Sequence, residues 1–407
     1  MLYPSSDIPG EYSVKILQIN TFGNLSTGKI AVDIYRTLKA RGHEGVVAFA
    51  RNDVPGDVPS IRIGNSFSIY ADGVFTRFTD KAGHYSKGAT AKLIEQIKDY
   101  DPDIIHLHNL HGYYINVPML FEYLAEADKP VVWTLHDCWA YTGHCCYYSM
   151  AECSKWRQEG CSRCPQKKSY PASLFKDNSA KNFSEKNQLF HSVKDLNLVC
   201  VSNWLNNELK DSFLKDLPSR VIYNGIDTNV FKPSACDFRM KYDVGDKAVV
   251  LGVASTWDTR KGLADFIELS KILDDRYKIV LVGLNDKQKA SLPDNMIGIG
   301  RTDGPKELAG IYRAANVLFN ASVEETFGLP NIEAIACGTP VGAYNCTGIP
   351  ETVTENEGYI VEPHDLMSAA DRIRTICEQR RRPDVSSFRF PKDKTYEAYM
   401  KLYEELI

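Results

Sequence analysis

Ser322-Val-Glu-Glu-Thr-Phe-Gly-Leu-Pro-Asn-Ile-Glu-Ala-Ile-Ala-Cys-Gly338 is the stretch whose reading decides the fold. The apolar run Val317-Leu318-Phe319-Asn320 enters it as a buried strand. Gly328 permits a tight turn, Pro330 suits a helix's first turn, and Gly338 sits where a helix would be capped. Strand, turn and helix together place the carboxylate of Glu325 at a strand end, ahead of backbone N–H groups leaving a helix N-terminus. That arrangement suits a phosphate. Glu333 falls in the first turns of the same helix, where a carboxylate can accept hydrogen bonds from a vicinal diol.

At 407 residues the chain is too long for one ordinary core, and two domains are expected. A net charge of −4 argues against nucleic acid as a partner. No apolar run approaches the length of a membrane span, and the N-terminus lacks a basic segment followed by an apolar one. The expectation is a cytoplasmic protein, in which the eleven cysteines serve as thiols or metal ligands rather than disulfides.

Outward from the opening stretch, the pattern is α/β throughout. Val14–Asn20 reads as a strand, Ile30–Arg41 as a helix and Val46–Phe49 as the next strand, a βαβ start to a parallel sheet. Residues 52–100 are less regular, with a helix expected over Ala89–Asp99. Strands follow at Ile104–His108, Val131–Leu135, Leu198–Val201 and Val221–Tyr223. A second series runs from Ala248–Val253 through the helix Leu263–Leu273, Lys278–Val282 and the helix Glu307–Ala314 to Val317–Asn320. The loop from Gly23 to Ile30 is a near miss to a P-loop; its last position is Ile, which cannot ligate magnesium.

The spacing Glu325-x7-Glu333 resembles the donor-site motif of retaining glycosyltransferases of family four, which have the GT-B fold. Asn224-Gly225-Ile226-Asp227 followed by Phe231-Lys-Pro233 resembles that family's interdomain turn. The resemblance implies two Rossmann-like domains facing across a cleft, an acceptor-side domain over 1–225 and a donor domain over 226–389. Residues 390–407 are then a terminal helix crossing back to the first domain. It implies a nucleotide-sugar donor, uridine diphosphate-linked, and chemistry without a catalytic metal. Glu325 would grip donor-sugar hydroxyls, Glu333 the ribose, and Thr326, Phe327, Gly328 and Leu329 the diphosphate or sugar. Gly23 and Gly28 would let the first loop pass close to the diphosphate. Lys261 matches the family's Lys-Gly position. The family's upstream Gly-Arg is replaced by Ala254-Ser255, leaving Arg260 to supply the charge. Arg301 falls where the family places the nucleobase, and His136 where it places a histidine beside the reaction centre.

His108-Asn109-Leu110-His111-Gly112-Tyr113-Tyr114 follows a strand's C-terminal end, where open parallel sheets bind ligands. Its imidazoles and aromatics, with Asp137, suit a sugar acceptor, so His108, Asn109, His111, Tyr113 and Tyr114 join the acceptor side. Metal binding by His106, His108 and His111 is a rival reading. Asp101-Pro-Asp103 precedes a strand directly and reads as a turn.

Six of the eleven cysteines fall between Cys138 and Cys164, within an insert spanning 138–170. Cys145-x7-Cys153-x7-Cys161-x2-Cys164 offers four thiolates, enough for a closed structural zinc site. With His136-Asp-Cys-Trp-Ala-Tyr-Thr-Gly143 before it, the insert resembles that of bacterial polysaccharide-assembling glycosyltransferases. From Lys155 to Lys181 seven basic residues face two acids, Glu159 and Asp177, with Trp156, Tyr170 and Phe175 between them, which suits contact with an anionic membrane. The expectation is a glycosyltransferase extending a glycan or lipid-linked oligosaccharide at the cytoplasmic face of the inner membrane. A P-loop-like nucleotide hydrolase and a non-catalytic zinc-containing sugar-binding module are the alternatives.

Overall fold

The computed structural model describes residues 13–157 and 160–407. The first twelve residues of the expected N-terminal domain, and Glu159 of the basic segment, lie outside them. The first sheet contains β1 (Lys15–Phe22), β2 (Glu44–Arg51), β3 (Ser60–Arg62), β4 (Ile104–Leu107), β5 (Val131–Leu135), β6 (Leu196–Cys200) and β7 (Ser219–Val221). Its order is β3-β2-β1-β4-β5-β6-β7 and every pairing is parallel. The second contains β8 (Ala248–Val253), β9 (Tyr277–Val282), β10 (Met296–Ile299), β11 (Val317–Asn320), β12 (Val341–Tyr344) and β13 (Gly358–Val361). Its order is β10-β9-β8-β11-β12-β13, again parallel.

Both sheets read as near-continuous apolar runs because helices cover both of their faces. In each the strand order reverses beside the first strand, between β1 and β4 and between β8 and β11. Ligands of open α/β sheets bind at such points, beyond the strands' carboxyl ends. The loops after β1, β4, β8 and β11 are among those that the sequence singled out.

The terminal helix, Lys392–Glu405, crosses back as expected. Tyr396, Tyr399, Met400 and Tyr403 pack against Ile16, Ile34, Leu38, Ile104 and Val132 of the first domain. Inside this contact Tyr403 meets His106 Nδ1 at 2.6 Å, and Thr134 Oγ1 meets His106 Nε2 at 2.8 Å. His106 is thereby satisfied by protein groups, which removes it from the metal reading. At the crossing, the amide of Ile226 donates to Phe390 and that of Lys392 to Ile226. A Cβ on Gly225 would lie 2.6 Å from Lys392 Cα, so only glycine lets the two segments pass.

Two expectations shift. The last strand of the first sheet starts at Ser219 rather than Val221. Residues 60–79, read as irregular, hold β3 and the helix Ser66–Thr79. That helix hid because its buried positions include Asp72 and Thr76, reversing the usual apolar-inward pattern.

Candidate active site

The helix Leu329–Ala336 begins at Gly328, whose φ of 98° is the left-handed conformation glycine supplies. In its first turn Pro330 has no N–H and the Asn331 amide donates to Gly328 O at 3.1 Å, while the Leu329 amide precedes any intrahelical acceptor. Asn331, buried in the same turn, bridges Asn320 at the end of β11 (2.9 Å) and Thr352 (2.8 Å), holding helix and strand end together. Behind the helix Tyr312 donates to Glu333 Oε2 at 2.9 Å, and burial raises the Glu333 carboxyl to about 7.

Lys261 belongs to a short turn, Thr259–Lys261, capped by Asp258, rather than to the helix itself, which starts at Leu263. The turn packs on the end of β11, where a Cβ on Gly262 would meet Ala321 O at 2.4 Å. This brings the Lys261 ammonium onto Glu325 Oε1. Arg260 pairs with Asp258 at 3.0 Å and lies over the Tyr147 ring at 4.6 Å, so its charge is held against the cysteine insert. Arg301 is exposed on the wall of an open depression of ≈ 530 Å³, with Leu284, Asn285 and Lys289 at the ends of β9 and β10.

From the facing domain His136 follows β5. Thr326 Oγ1 donates to the His136 carbonyl at 2.9 Å, tying the loop before the helix Leu329–Ala336 to the end of β5. The imidazole belongs to a chain. Gln18 Nε2 donates to Ala31 O at 2.9 Å, which turns Gln18 Oε1 toward His108 Nε2 at 3.1 Å. His108 Nε2 must then carry the proton, so His108 Nδ1 accepts from His136 Nε2 at 3.1 Å. His136 is left with an unprotonated Nδ1. Burial lowers its pKa to about 4 and lowers that of His108 well below the usual imidazole value, so both stay neutral.

The acceptor-side residues divide. His111 Nε2 pairs with Asp137 Oδ2 at 2.7 Å and its Nδ1 meets Tyr170 at 3.1 Å. Tyr113 stands edge-on to Tyr170 with ring centres 5.7 Å apart. These line one wall. Burial opposes ionisation of Asp137, but the His111 pair and the Trp139 amide bring its pKa below the usual carboxylate value. His108 and Tyr114 are buried, and the Tyr114 hydroxyl donates to Asn109 O at 2.8 Å. Tyr114 is thus enclosed by protein, while His108 lines a small cavity with His111, His136 and Asp137. At the two glycines the protein's own backbone is close. A Cβ on Gly23 would lie 2.2 Å from Asn52 O, and on Gly28 2.4 Å from Phe22 O, so protein backbone demands them. The Phe327 side chain packs against Tyr223 and Phe390 in the hinge, leaving only its amide for a ligand.

Several site residues escaped the sequence reading. Glu351 accepts from the amides of Asn203 (2.8 Å) and Trp204 (2.6 Å), and Glu324 from that of Met150 (2.7 Å), both across the cleft. Gln18 could have been flagged as a polar residue inside an apolar strand. Among the described residues, donor atoms within 4.8 Å of one another, close enough to share an ion, occur at His111, Asp137 and Cys146. Cys145, Cys153, Cys161 and Cys164 instead line one cavity of ≈ 10 Å³, the Gly143 amide donating to Cys161 Sγ at 3.1 Å.

Two strand-rich domains with such loops define a GT-B protein, and sequence comparison agrees. Residues 27–230 match Glycosyltransferase Family 4 and residues 237–387 match Glycosyl transferases group 1. The chain belongs to glycosyltransferase family 4. A relative from Escherichia coli (strain K12), named for colanic acid biosynthesis glycosyl transferase WcaC, is 25% identical over 65% of each chain. N-acetyl-alpha-D-glucosaminyl L-malate synthase of Bacillus anthracis is 25% identical over 52% of this chain and 60% of its own. The chain thus spans less than two thirds of the length of these curated relatives. Among solved structures, sucrose-phosphate synthase from Thermosynechococcus elongatus superposes with a TM-score of 0.70 at 18% identity, covering 97% of this chain and 99% of that one. Anabaena HepE, solved in complex with UDP, gives 0.66 at 17% identity over 97% and 100%.

The imidazole chain predicts that nitrogen-15 NMR of histidine-labelled protein will show His136 with Nε2 protonated and Nδ1 bare. The signal should not titrate near the ordinary value of about 6.5. A Gln18→Leu variant, which frees the His108 tautomer, should scramble that pattern.

Proposed function

We propose that the chain is a retaining glycosyltransferase that moves a sugar from a uridine diphosphate donor to a glycan or lipid-linked oligosaccharide of the bacterial surface. One observation carries the reading. Lys261 meets Glu325 at the mouth of the helix Leu329–Ala336, and His136 of the other domain stands opposite, joined through Thr326. A diphosphate at that helix start would receive the amides of Phe327, Gly328 and Leu329 and the Lys261 charge. Both favour the departing nucleoside diphosphate. Glu325 then holds donor-sugar hydroxyls, Glu333 the ribose, and Arg301 approaches the base. His136 Nδ1 accepts from a sugar hydroxyl, while His111, Asp137, Tyr113 and Asn109 face the acceptor.

Retention follows if the acceptor attacks the face that the diphosphate leaves, a diphosphate oxygen taking its proton. The carboxylate of Asp137, next to His136, is held by His111 and the Trp139 amide, which favours this route over a covalent intermediate. The domains would divide at Gly225 and Ile226, the crossing point. The likeness to a UDP-bound neighbour and to a relative named for colanic acid biosynthesis supports donor and setting.

Calorimetric titration with UDP tests the roles. Glu333→Gln should weaken binding by about ten- to a hundredfold, the range for a hydrogen bond to a charged group. Glu325→Gln should leave UDP affinity nearly unchanged and depress turnover. A diol prefers the carboxylate, so affinity should rise with pH through about 7, the value at which Glu333 loses its proton. The Glu333→Gln variant should lose that component. Equal affinity in wild type and Glu333→Gln would remove Glu333 from the ribose site.

We further infer a structural zinc at the four cysteines. They line one small cavity and an amide already donates to one sulfur, but no three of the sulfurs lie within 4.8 Å of one another, so the ion would have to draw them together. Cys145, Cys153, Cys161 and Cys164 would hold the ion, which would brace the loop carrying His136 and supply no chemistry. Elemental analysis of reduced enzyme purified without added metal should find close to one zinc per chain. A Cys161→Ser, Cys164→Ser double variant should lose it, together with protease resistance in the insert.

A further inference from the structure

The helix Ser66–Thr79 is built inside out. Its buried face holds Ile69 with Asp72 and Thr76, the Asp72 carboxylate accepting from Ser86 at 2.6 Å and from Thr76 at 3.2 Å. Its outer face carries Phe67, Tyr70, Phe75 and Phe78, which are 80%, 72%, 54% and 50% exposed. The loop of Leu174 and Phe175 extends this surface. The Leu174 amide donates to Arg77 O at 2.8 Å, and Phe175 stacks on Phe78 with ring centres 5.6 Å apart. Six large apolar side chains thus form one exposed patch, of the kind that marks an interaction surface.

The exposed charges around it are mainly cationic. Arg77 and Lys176 are exposed next to Phe78 and Phe175 in the chain and Lys168 is exposed in the preceding loop, against one exposed acid, Asp177. The acids nearby face inward or are engaged: Asp72 as above, Asp80 with His144, and Asp177 with the Cys164 amide and Ser179. The patch also leads to the cleft. Gly73 on its inner side lies against the Tyr113 ring, Tyr113 against Tyr170, and Tyr170 against His111.

We propose that this surface docks on an anionic lipid bilayer. The aromatics enter the headgroup boundary, the cations meet lipid phosphates, and the acceptor wall at Tyr113 and His111 is held at the membrane. An outward aromatic face rimmed by cations is the composition of an interfacial helix. The inference goes beyond the transfer reaction in naming the surface, and implies a lipid-borne acceptor that is presented from the side.

Cosedimentation of the full chain with vesicles of phosphatidylcholine alone, or mixed with phosphatidylglycerol, tests it without any assay of transfer. The chain should bind the anionic vesicles preferentially and release as salt rises. Each cation near such a surface is worth about fivefold in partitioning, so Arg77→Glu, Lys168→Glu, Lys176→Glu should lower binding by at least about a hundredfold. Phe67→Ser, Tyr70→Ser, Phe78→Ser should also abolish it, with UDP affinity unchanged in both variants. Should the aromatic triple variant misfold, Phe67→Ser alone must still weaken vesicle binding. Failure of the wild type to bind anionic vesicles would overturn the proposal, as would full binding by the aromatic variant. So would a dimer in sedimentation velocity that those substitutions turn into monomers, since the surface would then belong to a second copy of the chain.

Discussion

A parallel strand ends with its next backbone groups unpaired, and everything at this cleft depends on two sets of such ends meeting. The hydrogen bond from Thr326 to the His136 carbonyl joins them. On one side it fixes the loop that starts the donor helix. On the other it fixes the turn after β5, from which the His136 ring enters the site. Neither loop alone has both a cation next to a helix N-terminus and a neutral imidazole opposite. The site exists only as a junction of domains.

Other contacts hold the same junction with charge. Glu351 takes two amides at the start of the helix Asn203–Lys210, where a carboxylate also complements the helix dipole. Arg260 lies on Tyr147 and Glu324 takes the Met150 amide, so the second domain grips the cysteine insert at these two residues. Any opening of the cleft must exchange these bonds for water. The insert is therefore part of the closed cleft, and a metal that stiffened it would act on the reaction only by keeping His136 in place.

Much of the fold was legible in the sequence. Buried parallel strands show as short apolar runs, and β5, β8 and β11 fall where those runs lie. The opening stretch also gave its helix, because Gly328 and Pro330 carry local conformational meaning. What stayed hidden depends on partners far along the chain. Nothing near His108 says that Gln18 and His136 will occupy both ring nitrogens, and nothing near Gly23 says that Asn52 will fill its Cβ space. The helix at Ser66 was missed for the opposite reason: its pattern is clear but faces solvent. The likeness between this chain and a known donor motif singled out Glu325 and Glu333, which the structure sets against Lys261 and within the helix Leu329–Ala336, respectively. For Gly23 and Gly28 the structure adds a requirement of its own, the backbone that a Cβ would meet.

In the proposed function the donor occupies the junction of the two sheets at the helix Leu329–Ala336. Hydrogen exchange read by mass spectrometry, with and without UDP, tests it most directly. Protection is expected in peptides covering Thr326–Ala336 and Thr259–Leu263, without a requirement for magnesium. Protection confined to Gly23–Ile30 and dependent on magnesium would contradict the account and favour a nucleotide hydrolase.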